Sequence, residues 1–217
     1  MRIFFLSFIL TGFFISSYSQ GTRISVSGHP QLAWLKSVNE KANGEGLITG
    51  LGAILEMDFF FAERYSFYTG ISLDHTGGKI SFSDTIPFTA SGEQKLVPAG
   101  TVMKFRLQYL GVPLGLKLKT QEIGYTTIFI NMGVTPMVNL RARIYDTGVF
   151  PEKSNADDEI RLFNMNYFIS SGIEYSLGGS TSLIGGIGYT SGFLDITTRT
   201  DDKITTGSLF LKAGILF

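Results

Sequence analysis

The chain has 217 residues, and its 18 basic side chains balance its 18 acidic ones, so its charge gives no basic footprint for nucleic acid. The lack of cysteine argues against a disulfide scaffold, a thiolate metal site and a lipoprotein anchor. An aromatic content of 13%, with 26 glycines and only 6 prolines, favours a β-rich fold. We expect no cofactor and no bound metal ion.

The first residues have the pattern of a secretory signal peptide. Arg2 precedes an apolar run that continues to Ile15, and small serines follow it. The run is shorter than the roughly 20 apolar residues that a membrane-spanning helix needs. We therefore predict a cleaved signal peptide over residues 1–19 and a single barrel domain over residues 20–217.

Eight later segments alternate between apolar and polar residues with a period of two. Each is long enough for the roughly 9 to 11 residues with which a tilted strand crosses a membrane. We assign the more apolar set of each segment to the outside, and the set rich in Ser, Asn, Thr and Gly to the inside. The segments are Arg23–Lys36, Gly46–Phe61, Tyr65–Thr76, Val102–Lys119, Tyr125–Tyr145, Ile160–Leu177, Ser180–Thr197 and Leu209–Phe217.

The fourth segment changes phase. Its apolar residues keep one parity as far as Tyr109 and the other parity from Leu110 onward. A β-bulge at this point would restore one outward face. Alternatively, the first half of the segment projects above the membrane, where parity is less constrained. Pro113 lacks a ladder donor and predicts a bend.

The connections between segments alternate strictly between long and short, beginning with a long one. Tight periplasmic turns and longer external loops are typical of outer-membrane barrels. We predict an all-β fold, an eight-stranded antiparallel transmembrane β-barrel in the outer membrane with both termini in the periplasm. A soluble eight-stranded barrel would carry a dense charged face outside, which the sparsely charged polar set does not match.

The last segment supports closure of the barrel. Its apolar set ends at Phe217, and Lys212 has the opposite, inward parity. An exposed strand edge at this point would invite pairing with other chains, whereas a closed barrel has no edge. A terminal aromatic residue also resembles the signal by which outer-membrane assembly machinery recognises its clients, so we predict that Phe217 is an assembly signal.

Charged residues on the predicted inner face form two groups, one toward each end of the barrel. Burying an unpaired charge in a narrow lumen costs several kcal/mol of free energy. We predict a structural network of ion pairs that fills the barrel, and a gated ion path is the alternative. The group toward the periplasm is Glu56, Asp58, Lys117, Glu174 and Lys212, and the outer group is Arg106, Arg141 and Arg143.

Neither histidine has an obvious catalytic partner. Asp74 precedes His75, and neighbours on a strand face opposite sides, so Asp74 cannot orient that ring. His29 lies inward on the first segment, with no serine or carboxylate at an obvious spacing. The sequence predicts that the protein is not an enzyme.

Two stretches resemble a known family. The run Tyr109–Lys119, with its tyrosine, aliphatic and proline positions, and the stretch Asn166–Ile196 are similar to the small PorT-like outer membrane β-barrel proteins of the Bacteroidetes. The resemblance covers nearly all of the mature chain and implies an eight-stranded outer-membrane barrel. Members mostly lack an assigned activity, and PorT itself is associated with secretion across the outer membrane.

The resulting functional hypothesis is a non-enzymatic integral outer membrane protein with a structural or interaction role. A secretion accessory or narrow channel is the alternative, and a rim hydrolase acting on lipid or peptide is less favoured. We expect contacts with outer membrane lipid and lipopolysaccharide and with the outer membrane assembly machinery, and none with nucleic acid. The sequence does not identify a protein partner.

Overall fold

The computed structural model describes residues 21–38, 41–145, 148–150, 153–199 and 202–217. The predicted signal peptide, residues 1–19, lies outside these ranges. No helix in the described ranges is both long enough and apolar enough to cross a membrane.

The described part of the chain contains thirteen strands and one short 3₁₀ turn, Asp157–Glu159. Alternating apolar and small polar residues suit a pleated strand, whose successive side chains face opposite sides. In chain order the strands are β1 (Thr22–Ser37), β2 (Ala42–Gly46), β3 (Ile48–Ala62), β4 (Tyr65–Phe82), β5 (Ile86–Ala90), β6 (Glu93–Val97), β7 (Val102–Gly111), β8 (Leu114–Lys119), β9 (Thr126–Tyr145), β10 (Ser154–Asn155), β11 (Phe163–Gly178), β12 (Thr181–Gly192) and β13 (Ile204–Leu216).

Nine of these strands close into an antiparallel barrel with eight strand positions around its wall, which we call staves. β7 and β8 are the two halves of one stave, which is interrupted at Val112 and Pro113. The order is β1, β3, β4, β7/β8, β9, β11, β12 and β13, which pairs again with β1. Paired residues can be followed from strand to strand around the barrel, starting at Leu32 of β1 and returning to β1 at Thr22. The barrel therefore has a stagger of 32 − 22 = 10 residues. Such a stagger tilts the strands relative to the barrel axis. The predicted fold is confirmed.

The middle of the barrel is apolar outside and polar inside. On β13, Leu209, Leu211 and Ile215 are exposed while Lys212 is buried, as the parity of the last segment predicts. Pairs of aromatic rings lie outward near both edges of this apolar band, as is usual at membrane interfaces. The pairs are Phe61 with Tyr65 and Tyr125 with Tyr175 near one edge, and Trp34 with Tyr189 near the other.

The two ends of the barrel differ. Tight connections join β3 to β4, β8 to β9 and β11 to β12 at the end where Thr22 and Phe217 lie, which we call the terminus end. In the tightest of them Gly178 and Gly179 have φ of 102° and 64°, which residues with a side chain rarely adopt. The longer connections meet at the opposite end, the loop end. The predicted alternation is confirmed, and the side of the membrane that each end faces stays a prediction.

The loop end carries a folded cap, made of β2, the β5–β6 hairpin, β10 and the 3₁₀ turn. Apolar side chains from β2, from the hairpin and from residues that flank β10 and the 3₁₀ turn pack with the upper barrel wall into one buried core. Phe88 of the hairpin is 2% exposed, and its ring centre lies 6.0 Å from that of Phe105 and 6.1 Å from that of Phe150. The core closes the lumen from above. Its members are Leu35, Ala42, Ile80, Phe82, Ile86, Phe88, Ala90, Val97, Met103, Phe105, Leu107, Tyr109, Met137, Ala142, Ile144, Phe150, Ala156, Ile160, Ile196 and Ile204.

The cap explains the phase change in the fourth segment. Parity is continuous through β7, and Met103 to Tyr109 turn their apolar side chains inward to the cap core, whereas Leu110 turns outward. β7 itself therefore has no phase change, because its first half turns its apolar side chains into the cap core; the projection of this half above the membrane stays a prediction. The pairing does slip, between Gln108↔Arg141 and Tyr109↔Asn139, but the extra residue is in β9 rather than in β7.

Several boundaries differ from the predicted ones because the upper strands belong to the cap. β4 continues to Phe82 instead of ending at Thr76, and β13 begins at Ile204 instead of Leu209. β12 ends at Gly192, short of the predicted Thr197. The β5–β6 hairpin lies between the third and fourth predicted segments, where the sequence predicts only a loop.

Candidate functional site

The lumen toward the terminus end is filled by three ion pairs. In the first, Lys212 Nζ bonds to the carboxylate of Glu56, which also accepts hydrogen bonds from Tyr68 Oη at 2.7 Å and Ser25 Oγ at 2.9 Å. The side chains of the two charged residues are 5% and 1% exposed. A buried carboxylate with three donors is compensated for its loss of hydration.

The second pair joins Lys117 Nζ to Asp58 Oδ2 at 2.5 Å, and both side chains are 1% exposed. Lys117 Nζ also lies 5.4 Å from the ring centre of Tyr68 and 5.6 Å from that of Phe129, within the range of cation–π attraction. Asp58 Oδ1 has no hydrogen-bond partner in the described part of the chain. The loss of hydration of the buried Asp58 carboxylate is therefore compensated mainly by its ion pair with Lys117.

The third pair joins Glu174 to Lys119 at 2.8 Å, with Arg23 at 4.0 Å. Lys119 was not predicted, although it shares the inward parity of Lys117. Glu174 is thus paired with Lys119 and not with Lys212. The structure places the whole predicted group in the lumen, and its structural role stays a prediction; the group is Glu56, Asp58, Lys117, Glu174 and Lys212.

The predicted outer group of lumen charges is wrong in its placement. Arg106, Arg141 and Arg143 are exposed on the outer wall, because Leu107 and Ala142, on the opposite face of the same paired strands, point into the cap core. The rule that the more apolar set of a segment faces outward therefore gives the wrong face for residues above the apolar band. There the cap, and not lipid, buries the apolar face.

A partly buried histidine–carboxylate pair lies at mid-height in the lumen. His29 Nε2 lies 2.6 Å from Asp74 Oδ1, and the expectation that His29 has no carboxylate partner is therefore wrong. The two residues are on β1 and β4, and Gly52 of β3 is paired with both. A Cβ atom on Gly52 would lie 2.0 Å from His29 Nε2 and 2.5 Å from Asp74 Oδ1. Only glycine at position 52 leaves room for this bond.

The pair borders a polar chamber between the ion pairs and the cap. The chamber has a volume of about 90 Å³, which is room for a few water molecules. Ser72 Oγ donates a hydrogen bond to Asp74 Oδ2 at 2.8 Å. Both Ser72 and His29 therefore bond to Asp74, and this arrangement does not give the serine–base contact that activates a nucleophile.

Acidic side chains of the 3₁₀ turn accept hydrogen bonds from the barrel wall and from the cap hairpin. Asp157 Oδ1 accepts a hydrogen bond from the Ala142 amide of β9 at 2.5 Å, and Glu159 Oε1 accepts one from the Thr89 amide of β5 at 2.9 Å. Within the described ranges, no group of three or more His, Cys, Asp or Glu side chains is arranged to hold a metal ion.

Phe217 lies at the seam of the barrel. Its amide donates to the Ile24 carbonyl at 2.8 Å, and its side chain is 54% exposed on the outer face. The ring is therefore free to contact lipid or another protein. Its predicted role as an assembly signal stays a prediction.

These features define the class of the protein, a small closed β-barrel with an apolar outer band and a filled lumen. The chain belongs to the outer membrane protein beta-barrel domain family, whose model matches residues 10–198. No curated protein matches the sequence.

Several solved structures are similar to the chain. Neisserial surface protein A (NspA) has a TM-score of 0.48 at 12% identity, covering 91% of this chain and 98% of that one. The Yersinia pestis attachment invasion locus protein Ail has a TM-score of 0.44 at 13% identity, covering 91% and 100%. The Escherichia coli outer membrane protease OmpT has a TM-score of 0.48 at 7% identity, covering 94% and 98%.

Proposed function

We propose that this outer membrane barrel is a non-enzymatic protein that presents its cap as a preformed surface for a macromolecular partner. The observation that carries the proposal is the apolar core of the cap, which fixes segments from several long connections against the barrel wall. Loops held in one conformation lose little entropy on binding. Two apolar side chains of the loop end, Leu96 and Leu162, are 68% and 70% exposed and are candidate anchors for that partner.

The proposed orientation has the cap outside the cell and both termini in the periplasm. The length difference between the connections at the two ends supports it, since barrels of this class have short periplasmic turns and longer external loops. Protease added to intact cells should cleave within the cap and leave an epitope at the terminus end protected.

We further infer that the chain is of the PorT-like type. The supporting observation is the resemblance of residues 109–119 and 166–196, of which the first coincides with the stave that Pro113 interrupts. Within this reading, the partner of the cap is a component of an outer-membrane assembly, and a secretion accessory is the second candidate function.

An activity as a hydrolase is not proposed, because Ser72 and His29 both bond to Asp74 beneath the cap. A conducting channel is disfavoured by the ion pairs below the chamber and the apolar core above it. Refolded protein in a planar bilayer should show no conductance steps. Reproducible steps would contradict the proposal and favour the channel.

The decisive experiment is chemical cross-linking in cells followed by purification. We expect a partner in stoichiometric amount with the unchanged chain, and its loss when Leu96 and Leu162 are both replaced by aspartate. Ile123→Asp is the matched control, since Ile123 is also 70% exposed but lies at the terminus end. Loss of the partner with Ile123→Asp alone would place the interaction at the other end of the barrel.

A further inference from the structure

The outer wall of the barrel carries a cationic patch on two neighbouring staves near the loop end. We define the patch as Arg106 of β7 with Arg141 and Arg143 of β9. Arg106 and Arg143 are paired directly across the strands, and Arg141 is paired with Gln108. All three arginines are exposed.

The patch borders the apolar band directly. The next outward-facing rung toward the terminus end consists of Leu73, Leu110 and Val138, which are paired across β4, β7 and β9. These side chains are 36%, 39% and 37% exposed on the outer face. The wall therefore changes from aliphatic to cationic within one rung, as expected where a membrane surface meets its headgroups.

Aromatic residues around the rest of the barrel lie at about the same height as the patch. Once the ten-residue stagger is allowed for, Trp34, Phe163 and Phe193 lie at about the height of Gln108 on β7. Phe163 and Phe193 are 49% and 39% exposed. Aromatic side chains of this kind mark a membrane interface. At about this level, β1, β11 and the end of β12 thus carry aromatic rings, and β7 and β9 carry arginines.

The positive charge of the patch is not neutralised by ion pairs in the described part of the chain, where none of the three arginines makes one. Lys104 lies one rung above Arg106, with its Nζ 5.0 Å from the ring centre of Tyr145. A hydrogen bond from Lys104, together with the charges of Lys104 and Arg106, lowers the pKa of the Tyr145 hydroxyl. A shallow groove joins the patch to Lys153 of the cap.

We propose that the cationic patch binds the phosphate groups of a phosphorylated outer-leaflet glycolipid, the lipid A part of lipopolysaccharide. Guanidinium groups bind phosphate and carboxylate oxygens alike through two parallel hydrogen bonds, and the position of the patch beside the apolar band favours the phosphate of a lipid over the carboxylate of a protein. The aliphatic rung below the patch would contact the acyl chains of the same molecule. The proposal rests on the outward orientation of the cap and is independent of what the cap binds.

The test measures binding of lipid A to the full mature chain refolded in neutral detergent micelles, where orientation plays no part. The probes are bisphosphorylated lipid A, the same lipid after removal of its phosphates, and inorganic phosphate alone, and the readout is native mass spectrometry of the bound lipid. We expect the bisphosphorylated lipid to bind at least tenfold more tightly than the dephosphorylated one. A positive charge near a membrane surface contributes about fivefold in affinity, so replacing all three arginines by glutamine should remove this preference.

The matched control replaces three other exposed cations, Lys36, Lys41 and Arg64, by glutamine and should keep the preference. Heat-modifiable migration on a gel verifies that each variant is folded, and the single variants Arg141→Gln and Arg143→Gln replace the triple variant if it does not fold. An unchanged preference in the arginine variants, or an equal loss in the control, would overturn the proposal. Displacement of the lipid by millimolar inorganic phosphate would assign the patch to free phosphate instead. Failure of the protease experiment on intact cells would overturn the orientation without affecting this binding result.

Discussion

The lumen near the terminus end and the cap near the loop end solve the same packing problem in opposite ways. Toward the terminus end, the outer wall faces lipid and is apolar. The inner wall there is largely polar and pairs Lys117 with Asp58 and Lys212 with Glu56, with small apolar clusters between the polar groups. Toward the loop end, the outer wall is polar, and the inner wall holds an apolar core around Phe88. Since side chains alternate along a strand, each choice of outer environment decides what fills the inside. The barrel therefore inverts its polarity where it leaves the membrane.

Disruption of the two regions should have different consequences, since the ion pairs stabilise the barrel and the apolar core stabilises the cap. Replacing Lys117 by methionine leaves Asp58 buried and unpaired, and we expect a loss of about 3–5 kcal/mol in the free energy of unfolding. Urea unfolding in micelles, followed by fluorescence of the single tryptophan, measures it. The double variant Asp58→Asn with Lys117→Met should recover most of the loss. An equal loss in both variants would show that the ion pair is not the cause.

In the cap, Phe88→Ala removes a ring from a packed core and should cost the cap about 3–5 kcal/mol. Because the membrane band has its own interactions, limited proteolysis should cleave the cap of this variant faster than that of the unchanged chain, while the barrel keeps its heat-modifiable migration. Leu96→Ala on the same hairpin is the control, since that side chain is 68% exposed. Unfolding of the barrel together with the cap would show that the two regions are one cooperative unit.

Between the two regions, Gly52→Ala tests the His29–Asp74 bond. The added methyl group overlaps both side chains, so we expect a loss of about 1–3 kcal/mol from a separated buried polar pair. Gly185→Ala is the control, because a Cβ atom there meets nothing within 4 Å. The urea midpoint of each variant gives the answer, and similar shifts for the two would contradict the argument.

The smallest effect on stability is expected at the seam. Deleting Phe217 removes one rung contact with β1, but it should lower the amount of folded protein in the outer membrane several-fold if the residue is an assembly signal. Phe210→Ala, which removes a ring 5.5 Å from that of His29, should not. Quantitative blotting of outer membrane fractions measures both. Equal assembly would leave Phe217 as an interfacial aromatic alone.

The sequence predicted what the alternation of side chains controls. All eight staves and the inward position of Glu56, Lys117 and Lys212 follow from parity, because lipid outside forces one face to be apolar. It failed where another environment replaced lipid. Parity predicts Arg106 and Arg143 inside because the apolar residues beside them are expected to face lipid. The local pattern shows which face of a strand is apolar, but not whether lipid or a protein cap covers that face.

Contacts that depend on three strands were also out of reach. His29 and Asp74 are 45 residues apart and meet only across a glycine in the strand between them. The cap hairpin did leave a signal, since Ile86, Phe88 and Ala90 alternate ahead of Ser91–Gly92, a common turn pair. Strands of five residues are too short to be recognised among eight much longer ones.

The strand ends at the base of that hairpin decide which changes of the connection the barrel tolerates. Ser81 of β4 pairs with Val102 of β7, and the Gly100 amide bonds to the Phe82 carbonyl at 2.8 Å, so the chain leaves and re-enters the barrel at the same rung. An insertion whose ends already meet imposes no new geometry on its host. The staves can therefore keep their register when the length of this segment changes, but any replacement must again cover the inward ring of Phe105, against which Phe88 packs.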